Sequence, residues 1–322
     1  MNSEAATRDP FVPGGGRRPV LIVFAPGLGS VARAPAPRAP ALERLLARRR
    51  RAASPGGPWE VLARLLGGTT GSWPVAPVSF AGEGGEPRGG CLRVAPVGAD
   101  PEGRGDVGIP AAELALTSAE AGALAERFDR VLGEDRLTLH APHPRRWYLA
   151  GTPGWRGGDD WRPRGPLAGE PGLLRLVSEA EMLFHDHPVN RDRVAAGRPV
   201  VATLHPWGGG GPPGAGPARV PGGWGAEPYL RGLWRAAGAL PEPRPGALFA
   251  ARGLAWPGPG EEVDGDLPAR LERDLAEPGL GALVRGRLGE VRIVTEDASF
   301  AVTAWRARRA WRRPRPLGEL LC

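Results

Sequence analysis

Residues 181–211 contain a helical pattern, a strand-like run and the longest glycine run of the chain, and this order constrains the fold more than any other stretch. The helical pattern ends at Gly197, residues 199–204 are strand-like, and four glycines follow Trp207. In open α/β sheets, ligands bind beyond the carboxyl ends of strands, where loops present polar side chains and backbone N–H groups. The sequence therefore predicts an α/β protein with a ligand site in this segment.

Predicted helices and strands alternate along much of the chain. Residues 19–25 are mostly apolar and include β-branched side chains, a pattern that predicts a buried strand. A short strand is also predicted at residues 74–80. Residues 116–132 form an amphipathic helical pattern that Thr117 or Ser118 can cap. This alternation predicts an α/β fold with a mostly parallel sheet flanked by helices. The 50 glycines and 38 prolines among 322 residues predict long loops rich in both.

The organisation of the chain is predicted from its length and from its apolar runs. Residues 1–18 are expected to be a disordered leader, residues 19–316 a single α/β domain, and residues 317–322 a short tail. No run is apolar enough for a signal peptide or a membrane span, so no membrane partner is expected. The two cysteines form no CxxC pair, which fits a reducing compartment and predicts a cytoplasmic protein.

The basic residues of the chain are all arginines, and the formal net charge is +7. They lie in scattered groups along the sequence, at 48–51, 145–146 and 306–315, without zinc-finger spacing or an RNP-like aromatic motif. A solvated basic surface is therefore expected, and nucleic acid is not the expected partner. No pattern in the sequence indicates a particular protein partner.

The His185-Asp186-His187 triplet is open to two interpretations. Two histidines and an aspartate are a ligand set that suits zinc or iron. On a helix, however, His185 and His187 would diverge by about 200°, so they could converge only if the helix ends before Pro188. The alternative is that these side chains cap and hold the turn that precedes Pro188.

Polar and glycine residues on both sides of the predicted strand could bind an anion. Asn190, Arg191 and Arg193 could hold a phosphate or carboxylate, although a solvated helix face would have the same pattern. The run 207–211 could form an anion-binding nest of backbone N–H groups or, alternatively, a flexible loop. It is neither a Walker loop nor a dinucleotide fingerprint, because two prolines follow it rather than Lys-Ser/Thr or a helix.

Several separated motifs resemble a known family. The run HDHPVNRDRVAAGRP followed by WGGG, with PHPRRWYL upstream and WRRPRPL near the end, resembles the bacterial RpfE-type regulatory proteins. Those proteins are often labelled phosphoglycerate-mutase-like. The resemblance extends over most of the chain, because PVLIVFAPGL, PALERLLARRR, PVAPVSFAGEG, LRVAPV and LTSAEAGAL also occur in order.

A second resemblance covers only residues 181–211. The pattern HPVN-x-x-R-x-x-x-G…W-x-G-x-G is similar to a segment of archaeal-type, cofactor-independent phosphoglycerate mutases, which belong to the alkaline phosphatase superfamily. This resemblance implies an alkaline-phosphatase-like scaffold, and a position near phosphate for His187, Asn190, Arg191 and the 207–211 run. The enzymes of that superfamily use two metal ions, a Ser or Thr nucleophile, and Asp and His ligands.

This chain departs from that ligand set. The first strand ends in Phe24-Ala25-Pro26-Gly27 without a carboxylate, and no histidine follows His205. Without the Asp and His ligands, a protein cannot hold the two metal ions that stabilise phosphoryl transfer. We therefore expect a non-catalytic regulatory protein that uses no cofactor and binds a small anionic ligand.

The expected ligand-binding residues are His185, Asp186, His187, Asn190, Arg191, Trp207, Gly208, Gly209 and Gly210. The alternative function is a metal-dependent phosphomutase or phosphohydrolase that uses the triplet 185–187 as a metal or acid–base site.

Overall fold

A computed structural model describes residues 19–25, 28, 38–53, 59, 62–63, 73–87, 89–100, 108–111, 113–132, 136–157, 170–212, 222–224, 227–238, 253–255, 267–295, 298–309 and 313–321. They form a mixed α/β fold that divides into two compact units: unit 1, Met1–Trp73 and Ala215–Cys322, and unit 2, Pro74–Gly214. The single domain expected over 19–316 stays a prediction, and the expected leader lies outside the described residues.

Unit 1 contains a six-stranded mixed sheet in the order β2-β10-β9-β1-β8-β7. Its strands are β1 (Val20–Phe24), β2 (Arg50–Ala53), β7 (Gly222–Trp224), β8 (Gly253–Ala255), β9 (Glu290–Val294) and β10 (Ala298–Thr303). Strand β1 pairs in parallel with β8 and β9, and β7 pairs in parallel with β8. Strand β10 pairs antiparallel with β9 and with β2, which is an edge strand. The strand predicted at 19–25 is thereby confirmed.

Helices of unit 1 pack on the sheet around one hydrophobic core. They are α1 (Pro40–Ala47), α6 (Pro228–Ala236), α7 (Leu267–Leu271), α8 (Glu277–Val284), α9 (Ala304–Ala307) and α10 (Leu317–Leu321), with a π-helical turn, Glu272–Ala276, between α7 and α8. The first turn of α1 lacks a side-chain cap of its own. Instead, the Glu272 carboxylate accepts hydrogen bonds from the N–H groups of Ala41 at 2.7 Å and Leu42 at 2.9 Å. In the expected tail, Leu317 and Leu320 are buried in this core.

Unit 2 contains a four-stranded antiparallel sheet in the order β4-β5-β3-β6. Its strands are β3 (Gly90–Ala99), β4 (Thr138–His143), β5 (Arg146–Thr152) and β6 (Val200–Gly210). Its helices are α2 (Val75–Gly82), α3 (Ser118–Leu132), α4 (Pro171–His185) and α5 (Pro188–Ala195). Among the described helices of both units, none has the length and apolar character needed to cross a membrane.

Both faces of the unit 2 sheet are covered by apolar side chains. On β3, Leu92 and Val94 belong to the core beneath α3 and α4, whereas Cys91 packs with Phe80 and Tyr148 in a smaller cluster beneath α2. This alternation follows from the two-residue period of a strand. Burial raises the pKa of the Cys91 thiol to about 12, so the thiol is protonated and unreactive at neutral pH.

The prediction of a mostly parallel sheet was wrong. Parallel pairing occurs only at β1–β8, β1–β9 and β7–β8, and every other described pair of strands is antiparallel. The pairs β4–β5 and β9–β10 follow each other directly in the chain, and a short connection joins strands only in the antiparallel sense. The strand predicted at 74–80 was also wrong, because this run belongs to helix α2. Apart from Ser79 the run is apolar, so its periodicity could not separate a helix from a strand.

Candidate functional site

An open groove in unit 2 brings together part of the predicted site. It has a volume of about 650 Å³ and is lined by Ala99, Asp100, Glu181, His185, Asn190, Arg191, Val194 and residues 200–203. Three of the residues singled out in the sequence, His185, Asn190 and Arg191, therefore line one groove. Its lining does not include Asp186, His187 or the 207–210 run.

Two short helices and a strand form the walls of this groove. Helix α4 ends at His185, and α5 begins at Pro188, so only two residues connect them. Glu181 and His185 are four residues apart on α4 and share one helix face. The third wall is the start of β6, where the pairing register with β3 shifts between Val97 and Gly98. Such a β-bulge bends a strand and re-aims its side chains.

The side chain of Asn190 connects α5 to β6 through hydrogen bonds. It is buried, and its Nδ2 donates hydrogen bonds at 2.7 Å to the carbonyl oxygens of Phe184 and Val201. Its Oδ1 accepts a hydrogen bond at 3.0 Å from the N–H group of Val201. Because both amide hydrogens are engaged within the protein, Asn190 forms part of the groove's frame and has no donor left for a ligand.

His187 holds the turn between the two helices. It is the N-cap of α5, where its Nδ1 accepts a hydrogen bond at 3.2 Å from the N–H group of Val189. Burial lowers the pKa of His187, and the positive charges of nearby arginines lower it further, against a hydrogen bond to the backbone of Ala123 that raises it. The ring is therefore neutral at physiological pH and both of its nitrogens are engaged, as the capping interpretation of the triplet requires.

The side chains of the triplet do not converge on a metal position. His185 and Asp186 are exposed at the end of α4, whereas His187 is buried with its ring nitrogens occupied by backbone groups. Within the described ranges, no group of three or more His, Cys, Asp or Glu side chains is arranged to hold a metal ion. A cofactor-free site stays a prediction.

Three of the four glycines of the run, Gly208, Gly209 and Gly210, belong to strand β6, so the prediction of a loop was wrong for them. These glycines allow other segments to pack closely against the strand. A side chain at Gly209 would meet Leu92 and the carbonyl oxygen of Trp155, and the Gly209 N–H group donates to the carbonyl oxygen of Arg156 at 2.9 Å. An anion nest needs successive N–H groups that point at a ligand, and one of them is already used here.

Trp207 is buried in the same strand. Its indole ring lies 5.0 Å from the guanidinium carbon of Arg93, and the Tyr148 ring lies 5.5 Å from the same carbon. Arg93 is therefore a buried cation held between two aromatic rings. Trp207 has a packing role on this face of the sheet rather than a place in the groove.

Arg193 connects three elements of unit 2 and does not reach the groove. Its buried guanidinium donates to the carbonyl oxygen of Pro199 at 2.6 Å and to that of Leu114, and it pairs with Glu120 at 3.0 Å. Glu120 also completes a capping box with Thr117 at the start of α3. Burial of Glu120 opposes its ionisation, but the hydrogen bonds from Thr117 and Arg193 outweigh burial and lower its pKa.

The groove retains polar groups that no other described residue engages. Glu181, His185 and Arg191 are exposed, and no hydrogen bond or ion pair within the described part of the chain involves their side chains. The hydroxyl of Thr203 is buried and has no hydrogen-bond partner among the described residues. Glu181 and Thr203 were not identified from the sequence, although the helical spacing of Glu181 from His185 is a signal that could have indicated the first of them.

Comparisons with known proteins give weak structural similarities. No protein-family model matches the chain, and no curated protein matches it in sequence. The fold is similar to that of the cofactor-independent phosphoglycerate mutase from Thermoplasma acidophilum DSM 1728, at 17% identity and a TM-score of 0.38, over 88% of this chain and 89% of that one. It is also similar to the PH0037 protein from Pyrococcus horikoshii, at 14% identity and a TM-score of 0.47, over 89% and 87% of the two chains. At these values, neither similarity assigns a family or a function.

Proposed function

We propose that the groove in unit 2 binds a small ligand that carries a phosphate or a carboxylate. One observation carries this proposal: the guanidinium of Arg191 is exposed in the groove and has no ion-pair partner among the described residues. A guanidinium presents several donors in a planar fork that matches an oxyanion. The imidazole of His185, which no other described residue engages, supplies a further polar contact in the same groove.

We further propose that the chain is a divergent phosphoglycerate-mutase-like protein of the bacterial RpfE type, with an alkaline-phosphatase-like scaffold and a regulatory role in the cytoplasm. The ordered motifs of the sequence support this assignment. The regulatory, non-catalytic part rests on the departures at the end of the first strand and after His205, where the two-metal enzymes carry ligands. In this role, the protein binds the ligand without turning it over.

Titration calorimetry of the full chain with inorganic phosphate and with 3-phosphoglycerate tests the groove. We expect Arg191→Gln to weaken binding at least tenfold, the effect of losing about 1.4 kcal/mol of charge-assisted hydrogen bonding. The matched control is Arg231→Gln, which removes one exposed arginine from α6 of unit 1 and leaves the groove intact. Equal affinities for the wild type and Arg191→Gln would refute the proposal.

A turnover assay separates the regulatory role from the alternative enzyme. We expect no conversion of phosphoglycerate with or without added Mn²⁺. Mn²⁺-dependent turnover that falls in a His185→Ala variant would instead identify the protein as a metal-dependent phosphomutase or phosphohydrolase, with His185 in its metal or acid–base site.

A further inference from the structure

Two arginine groups that are far apart in the sequence meet on one surface of unit 1. The edge strand β2 pairs with β10, with Arg51 opposite Phe300. Arg48 donates through Nη1 to the carbonyl oxygen of Ala307 at 2.5 Å, and Arg306 donates through Nη1 to the carbonyl oxygen of Arg49 at 3.4 Å. The groups at 48–51 and 306–309 are therefore neighbours, although their scatter in the sequence argued against a shared function. We call the surface formed by Arg48, Arg49, Arg51, Arg306, Arg308 and Arg309 the arginine face.

The positive charges of the arginine face are crowded. Burial lowers the pKa of Arg48, and the charge of Arg44 lowers it further. The Arg49 guanidinium lies 5.3 Å from the centroid of the Phe300 ring, and Arg308 donates to the carbonyl oxygen of Val284 at 3.1 Å. Backbone or ring contacts thus hold four of these guanidinium groups, those of Arg48, Arg49, Arg306 and Arg308, against the protein and fix their positions.

Most of the described carboxylates on the elements around the arginine face form ion pairs or hydrogen bonds with groups outside this face. Glu43 pairs with Arg38 at 2.8 Å, Glu290 pairs with Arg292 at 2.8 Å, and Asp274 pairs with Arg273 at 2.8 Å. Glu272 caps the first turn of α1. The exposed acids on these elements are Glu277 on α8 and Glu319 on α10. Among the described residues of this surface, arginines therefore outnumber the acids that are not paired elsewhere, and this excess of positive charge suits a polyanion.

An exposed aromatic side chain lies within this surface. Trp305 is 65% exposed, and the Arg309 guanidinium stacks on its ring at 3.5 Å from the centroid. A solvent-facing indole beside several arginines is the combination with which proteins bind single-stranded nucleic acid, since bases stack on the ring while cations contact the phosphates.

We propose that the arginine face binds single-stranded nucleic acid without reading its sequence. Exposed guanidinium groups such as those of Arg51 and Arg308 contact the phosphates, and one base stacks on Trp305. The competing explanation is that Arg50 and Arg51 only protect the edge strand β2 from pairing with another sheet. That explanation requires neither the exposed tryptophan nor Arg306, Arg308 and Arg309.

Fluorescence anisotropy with labelled dT and rU oligonucleotides of about 20 nucleotides tests this proposal on the full chain. We expect binding at about 50 mM salt that weakens steeply by about 200 mM. Arg51→Gln/Arg308→Gln should lower the slope of log K against log salt by about 1.4, which is two phosphates at ~0.7 each. The matched control, Arg127→Gln/Arg231→Gln, removes the same charge from two exposed sites on α3 and α6 and should leave affinity and slope nearly unchanged.

The stacking role has its own variants. Trp305→Ala should weaken binding about tenfold, whereas Trp305→Phe should retain much of the affinity because phenylalanine also offers a ring. Far-ultraviolet circular dichroism and thermal melts establish that each variant is folded. No binding by the wild type, equal weakening by the control pair, or unchanged affinity in Trp305→Ala would each overturn the proposal. Tighter binding of duplex than of single strands would also overturn it.

Discussion

The side-chain amide of Asn190 takes the place of a strand partner for Val201. It accepts the N–H group of Val201 at 3.0 Å and donates to the carbonyl oxygen of the same residue at 2.7 Å. Strand β6 lies at the edge of the unit 2 sheet, so these backbone groups have no neighbouring strand on that side. Asn190 satisfies them and at the same time positions α5, with Arg191, beside the groove.

Asn190→Ala should destabilise the protein by about 2–4 kcal/mol, because the buried backbone N–H and carbonyl groups of Val201 lose the side chain that bonds to both of them. Urea unfolding followed by circular dichroism measures the change. Asp192→Ala, at an exposed position of the same helix, is the matched control and should change the stability by less than about 0.5 kcal/mol. A variant that keeps its stability but loses ligand affinity would instead assign Asn190 to ligand binding.

The stability of unit 2 should depend on pH through His187. Burial lowers the folded-state pKa of His187, so the unfolded state binds a proton more readily. The stabilisation is therefore fully present above the unfolded pKa of about 6.5 and is lost as the pH falls through the folded pKa. Protonation of Nδ1 would also abolish the hydrogen bond that caps α5.

His187→Asn tests this dependence, because asparagine is a good N-cap that does not titrate. Between about pH 7.5 and 5.5, the wild type should lose more unfolding free energy than His187→Asn does. The matched control is His185→Asn, the same substitution at the exposed histidine two residues earlier in the chain. Parallel pH profiles for the wild type and His187→Asn would disprove the role assigned to His187.

The glycine run should be sensitive to substitution for reasons of packing. Gly209→Ala would force a Cβ atom against Leu92 and the carbonyl oxygen of Trp155, and should cost about 2 kcal/mol or more. Gly211→Ala is the control, because nothing lies within 4 Å of a Cβ atom there. Thermal melts compare the two variants. If Gly209→Ala melts like the wild type but binds phosphate more weakly, the run is an anion site after all.

Local patterns in the sequence predicted much of the fold. Thr117 caps α3 as expected, residues 19–25 form a buried strand, and the antiparallel pair β9–β10 follows from its short connection. These features depend on residues that are close in sequence. The pairing of β3 with β6 and of β2 with β10, and the use of Gly209 to admit the carbonyl oxygen of Trp155, depend on distant segments that no local pattern encodes.

The sequence likewise predicted only part of the candidate site. Arg191 and His185 were selected as polar residues near a strand, and the structure places them in one groove. The buried amide of Asn190 looked equally suitable in the sequence, because residue type does not reveal whether a hydrogen-bonding group is engaged inside the protein. The meeting of Arg49 with Arg306 was hidden for a different reason: β2 and β10 lie more than two hundred residues apart in the chain.

Glu181 should limit the affinity of the groove for simple anions. Its carboxylate is exposed, four residues before His185 on the same face of α4, and repels an anion held by Arg191. Glu181→Gln should therefore tighten phosphate binding by about two- to fivefold at low ionic strength, and the gain should shrink as salt screens the repulsion. Titration calorimetry at two salt concentrations measures this effect. The control is Glu113→Gln, which removes an exposed carboxylate elsewhere in the same unit.

For a ligand that also carries an ammonium group, Glu181→Gln should weaken binding, because the carboxylate then attracts the ligand. Unchanged phosphate affinity in Glu181→Gln at low salt would place the bound anion away from this wall of the groove.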